Sequence, residues 1–161
     1  MHGASSDLIA EMNRVAEEIF GTAHDPEQMP VTQASRDKLN ALTPNWLAYE
    51  TDAAGNPISW VVVMPTEREL AARFLNKEIT ERELLDLSKP EAVYGALYLC
   101  SAITVPAHRG RGLATRLLKE VIEKIPLAPD AMLFAWPTTD LGRRLAKSLA
   151  ADYKQGISLR V

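Results

Sequence analysis

The sequence contains very little cysteine, and this scarcity limits the kinds of site that it can build. Of its 161 residues only Cys100 is a cysteine, so the chain has no internal disulfide and no metal site made of several cysteines. Cys100 lies within an apolar run, which predicts a buried, unreactive thiol rather than a nucleophile. Chemistry that depends on paired or clustered cysteines is thereby excluded.

Two further absences concern charge and long hydrophobic runs. The formal net charge is −3 at pH 7, so no overall positive field favours binding to nucleic acid or to an anionic membrane. No apolar run approaches the length that spans a bilayer, and the N-terminal residues include neither the basic nor the apolar segment of a secretory leader. These features predict a cytoplasmic protein with no nucleic-acid partner and no membrane partner.

The chain does contain an ordinary apolar fraction of 47%. Its length suits a single domain over residues 1–161 that buries one substantial core. Apolar residues at helical spacing predict a first helix over 7–20, and a short second helix is predicted over 35–42.

A β-hairpin and a helical insert are predicted next. The strand-like runs 46–51 and 57–64 flank a cluster of turn residues, and Pro65 is expected to end the second strand. Two segments with the Thr-x-x-Glu pattern of a helix capping box, Thr66–Glu69 and Thr80–Glu83, then predict two short helices.

The second half of the chain alternates between strand and helix patterns. The predicted elements are a strand over 93–105, a helix over 113–125, a strand over 131–136, a helix that ends at Ala150 and a final strand over 157–161. Together with the hairpin they predict an α/β fold of the mixed α+β kind. Its central mixed sheet is flanked by helices, and the helical insert separates the hairpin from the central strand.

The most informative stretch connects the long strand 93–105 to the helix 113–125. A loop with Gly110 and Gly112 lies between them, and Arg109 and Arg111 add two positive charges. A strand followed by a glycine-containing loop and a helix N-terminus commonly binds phosphate, because unpaired N–H groups point outward there. The glycine spacing matches neither a Walker A loop nor a dinucleotide fingerprint. Taken alone, the stretch is equally typical of a simple strand-to-helix turn with solvated arginines.

The pattern Arg109-x-x-Gly112-x-Ala114 after an apolar strand resembles motif A of the GNAT superfamily, the CoA-dependent N-acyltransferases. All three defining positions of the family pattern Gln/Arg-x-x-Gly-x-Gly/Ala match. The resemblance covers roughly residues 93–150 and is only topological before them. It implies a GNAT-like fold and an acyl-CoA site, with acetyl-CoA as the expected cosubstrate.

The resemblance also implies which residues bind CoA. Backbone groups of Ile103, Thr104 and Val105 would pair with the pantetheine arm. The pyrophosphate would be held by the N–H groups of the motif, contributed by Arg109, Gly110, Arg111, Gly112, Leu113 and Ala114, with Thr115 donating from the first helical turn. Arg111, Arg116 and Lys119 either contact the phosphates of the adenosine part or are simply solvated.

Catalytic residues are harder to assign from the family pattern. Many members have a glutamate on the central strand where this chain has Tyr98, and the usual tyrosine acid of the last helix has no counterpart in register. Tyr98 and Tyr153 are therefore the predicted catalytic residues, with Ser148 as another substitute for the acid. Glu50 and Glu91 are alternative bases that would act through water, or else surface carboxylates.

The function predicted from this resemblance is transfer of an acetyl group from acetyl-CoA to a primary amine of a small molecule or peptide, by direct attack and without a metal. The alternative is a non-catalytic acyl-CoA-binding sensor or interaction module on the same fold. A third class is an unrelated α/β binding protein. The insert 66–89 is expected either to border the acceptor side of the cleft, to pack internally or to form a homodimer contact.

Overall fold

A mixed β-sheet forms the centre of the computed structural model, which describes residues 5–20, 27–30 and 32–161. In the described residues the sheet has five strands, which are β1 (Leu47–Thr51), β2 (Pro57–Thr66), β3 (Tyr94–Thr104), β4 (Leu127–Ala135) and β5 (Ser158–Leu159). They lie side by side in chain order. The pairs β1–β2 and β2–β3 are antiparallel, whereas β3–β4 and β4–β5 are parallel.

Helices cover both faces of this sheet. They are α1 (Ser6–Phe20), α2 (Gln33–Leu42), α3 (Arg68–Leu75), α4 (Glu81–Leu87), α5 (Leu113–Lys124) and α6 (Asp140–Ala150). Side chains of α1 to α4 pack on the face that carries Trp60 and Tyr98, while those of α5 and α6 pack on the face that carries Leu97 and Leu99. The predicted fold class, a central mixed sheet flanked by helices with a helical insert before the central strand, is confirmed.

The two predicted capping boxes have different outcomes. At α4 the Thr80 hydroxyl accepts from the Glu83 N–H at 3.1 Å and the Glu83 carboxylate accepts from the Thr80 N–H at 3.1 Å, so this box is confirmed. The box at Thr66 is wrong, because Thr66 is the last residue of β2 and its buried hydroxyl is hydrogen-bonded to Ser88 Oγ at 2.7 Å. Helix α3 instead begins at Arg68, without a side-chain cap.

The prediction that Pro65 ends the second strand is also wrong. Strand β2 continues to Thr66, and Pro65 pairs with Leu97 of β3. Strand β1 begins at Leu47, opposite Val62, so β2 has no neighbour on that side at Pro65. A missing N–H is tolerated at such a sheet edge.

Strand β4 begins earlier than predicted, at Leu127 rather than at residue 131. Its pairing with β3 is irregular at the start, since Tyr94 pairs with Leu127 and Ala96 already pairs with Met132. The four residues between these pairs include Pro129, which an interrupted ladder can accommodate.

Two apolar layers hold the sheet between its helices. On one face the ring of Phe74 contacts those of Tyr98 and Phe134 edge-on, with centroids 5.1 and 6.0 Å away. On the other face Leu97 and Leu133 belong to a buried cluster that includes residues of α5 and Leu149 of α6. These layers anchor the helices that shape the site described below.

The Leu97→Ala substitution tests the contribution of the second layer. Leu97 is fully buried at the sheet centre, so we expect the variant to lose roughly 2–5 kcal/mol of unfolding free energy in chemical denaturation. The control Leu87→Ala, at an exposed position of α4, should change it by less than about 0.5 kcal/mol. Equal losses in the two variants would contradict this packing.

Candidate functional site

The central parallel strands separate before the longer one ends. Strands β3 and β4 are paired as far as Leu99 and Ala135. There β4 ends and the chain leaves through Pro137 toward α6, whereas β3 continues to Thr104 along β2 alone. One edge of the last residues of β3 therefore borders a cleft instead of a strand.

A β-bulge marks the point of separation. Val63 pairs with Leu99 and Val62 pairs with Ser101, so Cys100 is an extra residue on β3. A bulge of this kind bends its strand and increases the local twist. Cys100 is half-buried and borders the cleft, whereas its apolar neighbours predicted full burial.

A cavity of about 210 Å³ occupies the cleft between β3 and β4. Its walls include side chains from α1 and α2 on one face of the sheet and from α5 and α6 on the other. They are mainly apolar, and the aromatic ones are Trp46, Trp60 and Trp136. The separation of the strands thus opens an apolar cavity through the middle of the sheet.

The glycine-containing loop lies at the outer end of the same cleft. A short 3-10 turn, Pro106–His108, follows β3, and the loop then reaches α5 with Gly110 and Gly112 at φ of 82° and 71°. Such left-handed conformations favour glycine. Gly112 is the N-cap of α5 and provides no side-chain acceptor, so N–H groups of the first helical turn face outward without a cap.

Most of the predicted CoA-binding residues line one cavity of about 230 Å³ at this loop. They are Ile103, Thr104, Arg109, Gly110, Gly112, Leu113, Ala114 and Thr115. This cavity adjoins the one between β3 and β4, because Ala102, Gly142 and Leu145 border both. Of the predicted set, Val105 and Arg111 do not line it.

The backbone of β3 shows which of its groups face the cleft. The Ile103 carbonyl accepts from Ser59 Oγ at 3.1 Å and the Val105 N–H donates to the Ile58 carbonyl at 2.9 Å, both toward β2. Backbone direction alternates along a strand, so the groups of Ala102 and Thr104 point into the cleft. The Thr104 carbonyl accepts there from Arg109 Nε at 3.0 Å.

The other cations near the loop form ion pairs on the surface. Arg116 lies 3.0 Å from Glu120 and 3.6 Å from Glu50, while Lys119 lies 2.8 Å from Asp152. Exposed pairs of this kind contribute little to stability. Glu50 therefore forms a surface ion pair with Arg116, away from the bulge.

The two predicted catalytic tyrosines lie outside the walls of both cavities. Tyr98 is fully buried between Phe74 and Phe134, and its hydroxyl donates to Glu81. Burial, reinforced by the Glu81 charge, raises the pKa of Tyr98 well above its usual range. Tyr153 follows α6 and packs on the opposite face of the sheet, where partial burial raises its pKa. The structure does not bring them together.

Glu81 is the functional candidate that the sequence analysis missed. It is only 7% exposed, yet its side chain forms part of the cavity wall. Its carboxylate accepts from Tyr98 and, at 2.6 Å, from the Met29 N–H, and the Cys100 thiol lies 3.9 Å from Oε2. In sequence Glu81 resembles the other charged residues of the insert, and only the adjacent capping threonine indicates that it begins a helix.

Arg160 provides a buried positive charge in the same region. Its guanidinium lies 4.5 Å from the ring centroids of both Phe74 and Trp136, an arrangement favoured by cation–π attraction. The charge of Arg160 acts to lower the pKa of Tyr98 but does not overcome the effect of burial. The guanidinium thus contacts Trp136, which borders the cavity.

The comparisons with known proteins find similarity to solved structures only at low sequence identity. The sequence matches no protein-family profile and no curated protein sequence. A crystal structure of Chaetomium thermophilum Naa20 in complex with a bisubstrate analogue matches at 13% identity with a TM-score of 0.42. The match covers 72% of this chain and 52% of that chain, so it spans about half of the Naa20 chain. This similarity assigns neither an activity nor a substrate.

The described part of the chain contains neither a candidate membrane span nor a candidate metal site. None of its helices combines the length and the apolar character that a bilayer-spanning helix needs. Within the same residues, no group of three or more His, Cys, Asp or Glu side chains is arranged to hold a metal ion.

The alkylation rate of Cys100 reports the charge of Glu81. Burial and, next, the Glu81 carboxylate raise the pKa of the Cys100 thiol, so less reactive thiolate is present at a given pH. We expect its reaction with iodoacetamide to reach half-maximal rate at a higher pH than that of glutathione. In Glu81→Gln the profile should move to lower pH, because the carboxylate charge is removed. The matched control Glu83→Gln should leave it in place, and a shift in the control alone would contradict the assignment.

Proposed function

We propose that this protein is a CoA-dependent N-acyltransferase that transfers an acetyl group from acetyl-CoA to a primary amine of a small molecule or peptide. The observation that carries the proposal is that an unpaired strand edge continues into a glycine-containing helix N-terminus. The cleft-facing edge of β3, at Ala102 and Thr104, leads directly into the glycine-containing start of α5. The resemblance to GNAT motif A implies that the pantetheine arm binds along this edge of β3 and that the pyrophosphate binds at the start of α5.

The loop has the chemistry that a pyrophosphate requires. Outward-facing N–H groups and the positive end of the α5 dipole attract anions, and Gly110 and Gly112 have open space where a Cβ would lie. The Arg109 and Arg111 side chains are exposed beside it and supply positive charge. The residues present therefore fit the phosphate groups of CoA.

The edge of β3 fits the amide-containing arm of CoA. An extended ligand can complete the backbone hydrogen bonds that β4 leaves unmade beyond Leu99. From Thr104 to Cys100 the strand covers about 13 Å at ~3.3 Å per residue. A thioester bound in this direction would place its reacting carbon near the bulge, beside the apolar cavity.

Acetyl-CoA supplies an activated acyl group when bound, and the chain must supply position and hydrogen bonds. Cleft-facing N–H groups of β3 are available donors for the thioester oxygen. The apolar walls exclude water, which would otherwise compete with the amine as nucleophile.

The non-catalytic acyl-CoA-binding module is the second candidate function. It is favoured by the location of Tyr98 and Tyr153, neither of which lines the cleft. The two candidates share the CoA site and differ in whether an amine is consumed.

Binding of acetyl-CoA tests the site common to both candidates. We expect Gly112→Ala to weaken binding at least about tenfold, or ~1.4 kcal/mol, in isothermal titration calorimetry, because the new Cβ occupies the space assigned to phosphate. Gly55→Ala is the matched control, since Gly55 also has positive φ and open surroundings but lies in the β1–β2 turn. Wild-type protein that binds no acetyl-CoA, or equal affinity in the two variants, would refute the site.

Release of CoA thiol separates the enzyme from the binding module. With acetyl-CoA and a panel of primary amines, we expect amine-dependent thiol release above the hydrolytic background, followed with a thiol-reactive chromophore. Mass spectrometry should show the acetylated amine in equal amount. Tight acetyl-CoA binding without acetylation of any amine would favour the binding module.

A further inference from the structure

We infer that the open edge of β1 binds an extended peptide segment of another protein, which adds to the sheet as one more strand. This binding function goes beyond acyl transfer and does not depend on it. Three features of the edge support it: the unpaired backbone of β1, the groove between the helices that flank this edge, and the distribution of apolar, polar and charged side chains in that groove.

The first feature is the backbone of β1, which is the outermost strand on its side of the sheet. The Trp46 carbonyl accepts from the Val63 N–H at 2.9 Å, toward β2. Because backbone direction alternates along an antiparallel strand, the N–H and C=O groups of Leu47 and Tyr49 point away from β2. The part of the chain that the structure describes contains no hydrogen-bond partner for these groups. Backbone groups exposed in this way can pair with an added strand.

The second feature is a groove of about 620 Å³ along the same edge. The edge of β1 forms its floor, α1 and α2 form one wall, and α5 forms the other. Helices from both layers therefore border the space beside the last strand. Ligand pockets of about 300–1,000 Å³ are typical of proteins, so the groove is large enough for a peptide segment.

The shape of the groove determines which kind of chain can enter it. A second copy that approached with its own β1 would bring its helices against those of the first copy, because the same helices flank both edges. A single extended segment has no flanking helices and fits between the two walls. The occupant is therefore a terminal or loop segment rather than the edge of another folded sheet.

The third feature is the chemistry of the walls, beginning with α5. Leu117, Val121 and Lys124 line the groove in that order, at the spacing of one helix face. Lys124 forms no ion pair with any described residue, whereas Glu120 beside it pairs with Arg116 at 3.0 Å. This wall therefore matches a peptide with apolar side chains followed by one acidic side chain.

The opposite wall is mostly polar. The amide side chains of Asn13 and Asn40 line it, together with Arg36 and Asp37. Both charged side chains are already bonded to Gln33, which accepts from Arg36 at 2.9 Å and donates to Asp37 at 2.7 Å. Uncharged hydroxyl side chains of a peptide suit such a wall, because they can both donate and accept hydrogen bonds.

The direction of the peptide follows from the topology. Strands β1 and β3 are parallel to each other, and α5 runs antiparallel to both because it returns the chain from β3 to the parallel strand β4. Antiparallel pairing is slightly more stable per residue than parallel pairing. An added strand antiparallel to β1 runs along α5 from Leu117 to Lys124, and its side chains alternate between the two walls. The site therefore matches the peptide Thr-Val-Thr-Val-Thr-Glu, with valines and glutamate toward α5.

The same geometry specifies which peptide N–H groups face β1. Leu47 and Tyr49 direct their side chains toward α1, and residues directly opposite each other in a sheet share a face. The threonines, whose side chains lie on that face, are therefore the residues that pair with Leu47 and Tyr49. The N–H groups of the valines point to solvent.

Binding of this peptide, with its N-terminus acetylated and its C-terminus amidated, tests the site in isothermal titration calorimetry. We expect a Kd below roughly 1 mM. N-methylation of the second and third threonines should weaken binding at least about tenfold, because it removes N–H groups that face β1. N-methylation of the two valines is the matched control and should change the Kd by less than about twofold. Equal losses for the two methylated peptides would show that no strand is added.

Amide hydrogen exchange, followed by NMR, places the bound peptide on β1. In the free protein the N–H groups of Leu47 and Tyr49 should exchange rapidly, and those of Ala48 and Glu50, which face β2, slowly. The peptide should slow exchange at Leu47 and Tyr49 at least about tenfold and leave the other two unchanged. Slow exchange of Tyr49 in the free protein would show that the edge is already covered, and would overturn the site.

Two variants test the two sides of the groove. Leu47→Pro and Leu47→Ala lose the same side chain, but only proline removes the N–H that faces the groove, and a strand edge tolerates proline. The proline variant should bind the peptide at least about tenfold more weakly than the alanine variant. If it fails to fold, the methylated peptides and the exchange rates report the same hydrogen bonds on the unchanged protein.

The second variant, Lys124→Gln, removes the cation that the peptide glutamate meets. It should weaken binding of the glutamate peptide about two- to fivefold, as expected for an exposed ion pair. Binding of the same peptide with a C-terminal glutamine should not change. An equal loss for both peptides would contradict the charge pairing.

Two further results would assign the groove to another occupant and overturn the proposal. A dimer in sedimentation velocity that the peptide dissociates would show that a second copy occupies the edge. Binding only of a peptide with a free N-terminal amine would show an acceptor of acyl transfer instead of a docked strand. Acetyl-CoA binding and thiol release test the proposed function separately, and neither depends on these outcomes.

Discussion

The site depends on a mismatch in length between two neighbouring parallel strands. Strand β3 extends beyond Leu99, the last residue paired with β4, and its backbone must still satisfy its hydrogen-bonding groups. The bulge at Cys100 bends β3 at the point where its pairing with β4 ends. Because the unpaired edge leads into the N-terminus of α5, one cleft offers backbone hydrogen-bonding groups along its length and a glycine-containing helix N-terminus at its end.

The helical insert contributes to this cleft through a single carboxylate. Glu81 at the start of α4 is joined to the central sheet by Tyr98 and to the segment before α2 by Met29. These donors compensate the burial of the carboxylate. The pKa values of Tyr98 and Cys100 are raised first by the burial of those two groups themselves and next by the charge of Glu81. The Glu81 carboxylate of the insert thus interacts with Cys100 at the bulge and with Tyr98 in the aromatic cluster around Phe74.

Local patterns predicted most elements, and the failures have a common cause. The helix at 113–125 and the strand at 93–105 were recognised from apolar periodicity, which depends only on nearby residues. The predictions that Pro65 ends β2 and that Thr66 caps a helix are wrong because both residues pair with β3. At Pro65 the other side of β2 has no neighbour, since β1 begins opposite Val62. Such neighbours are distant in sequence, so no local pattern reports them.

The sequence by itself determined the glycine-containing loop, its positive charge and the amphipathic helix that follows, since backbone conformation at Gly110 and Gly112 is a local property. Only the tertiary structure placed the Glu81 carboxylate at the cleft. Glu81 and Tyr98 lie 17 residues apart and become partners because α4 packs on the face of β3 that carries Tyr98. Side-chain burial and hydrogen-bond geometry arise from packing between elements, and residue order alone does not specify them.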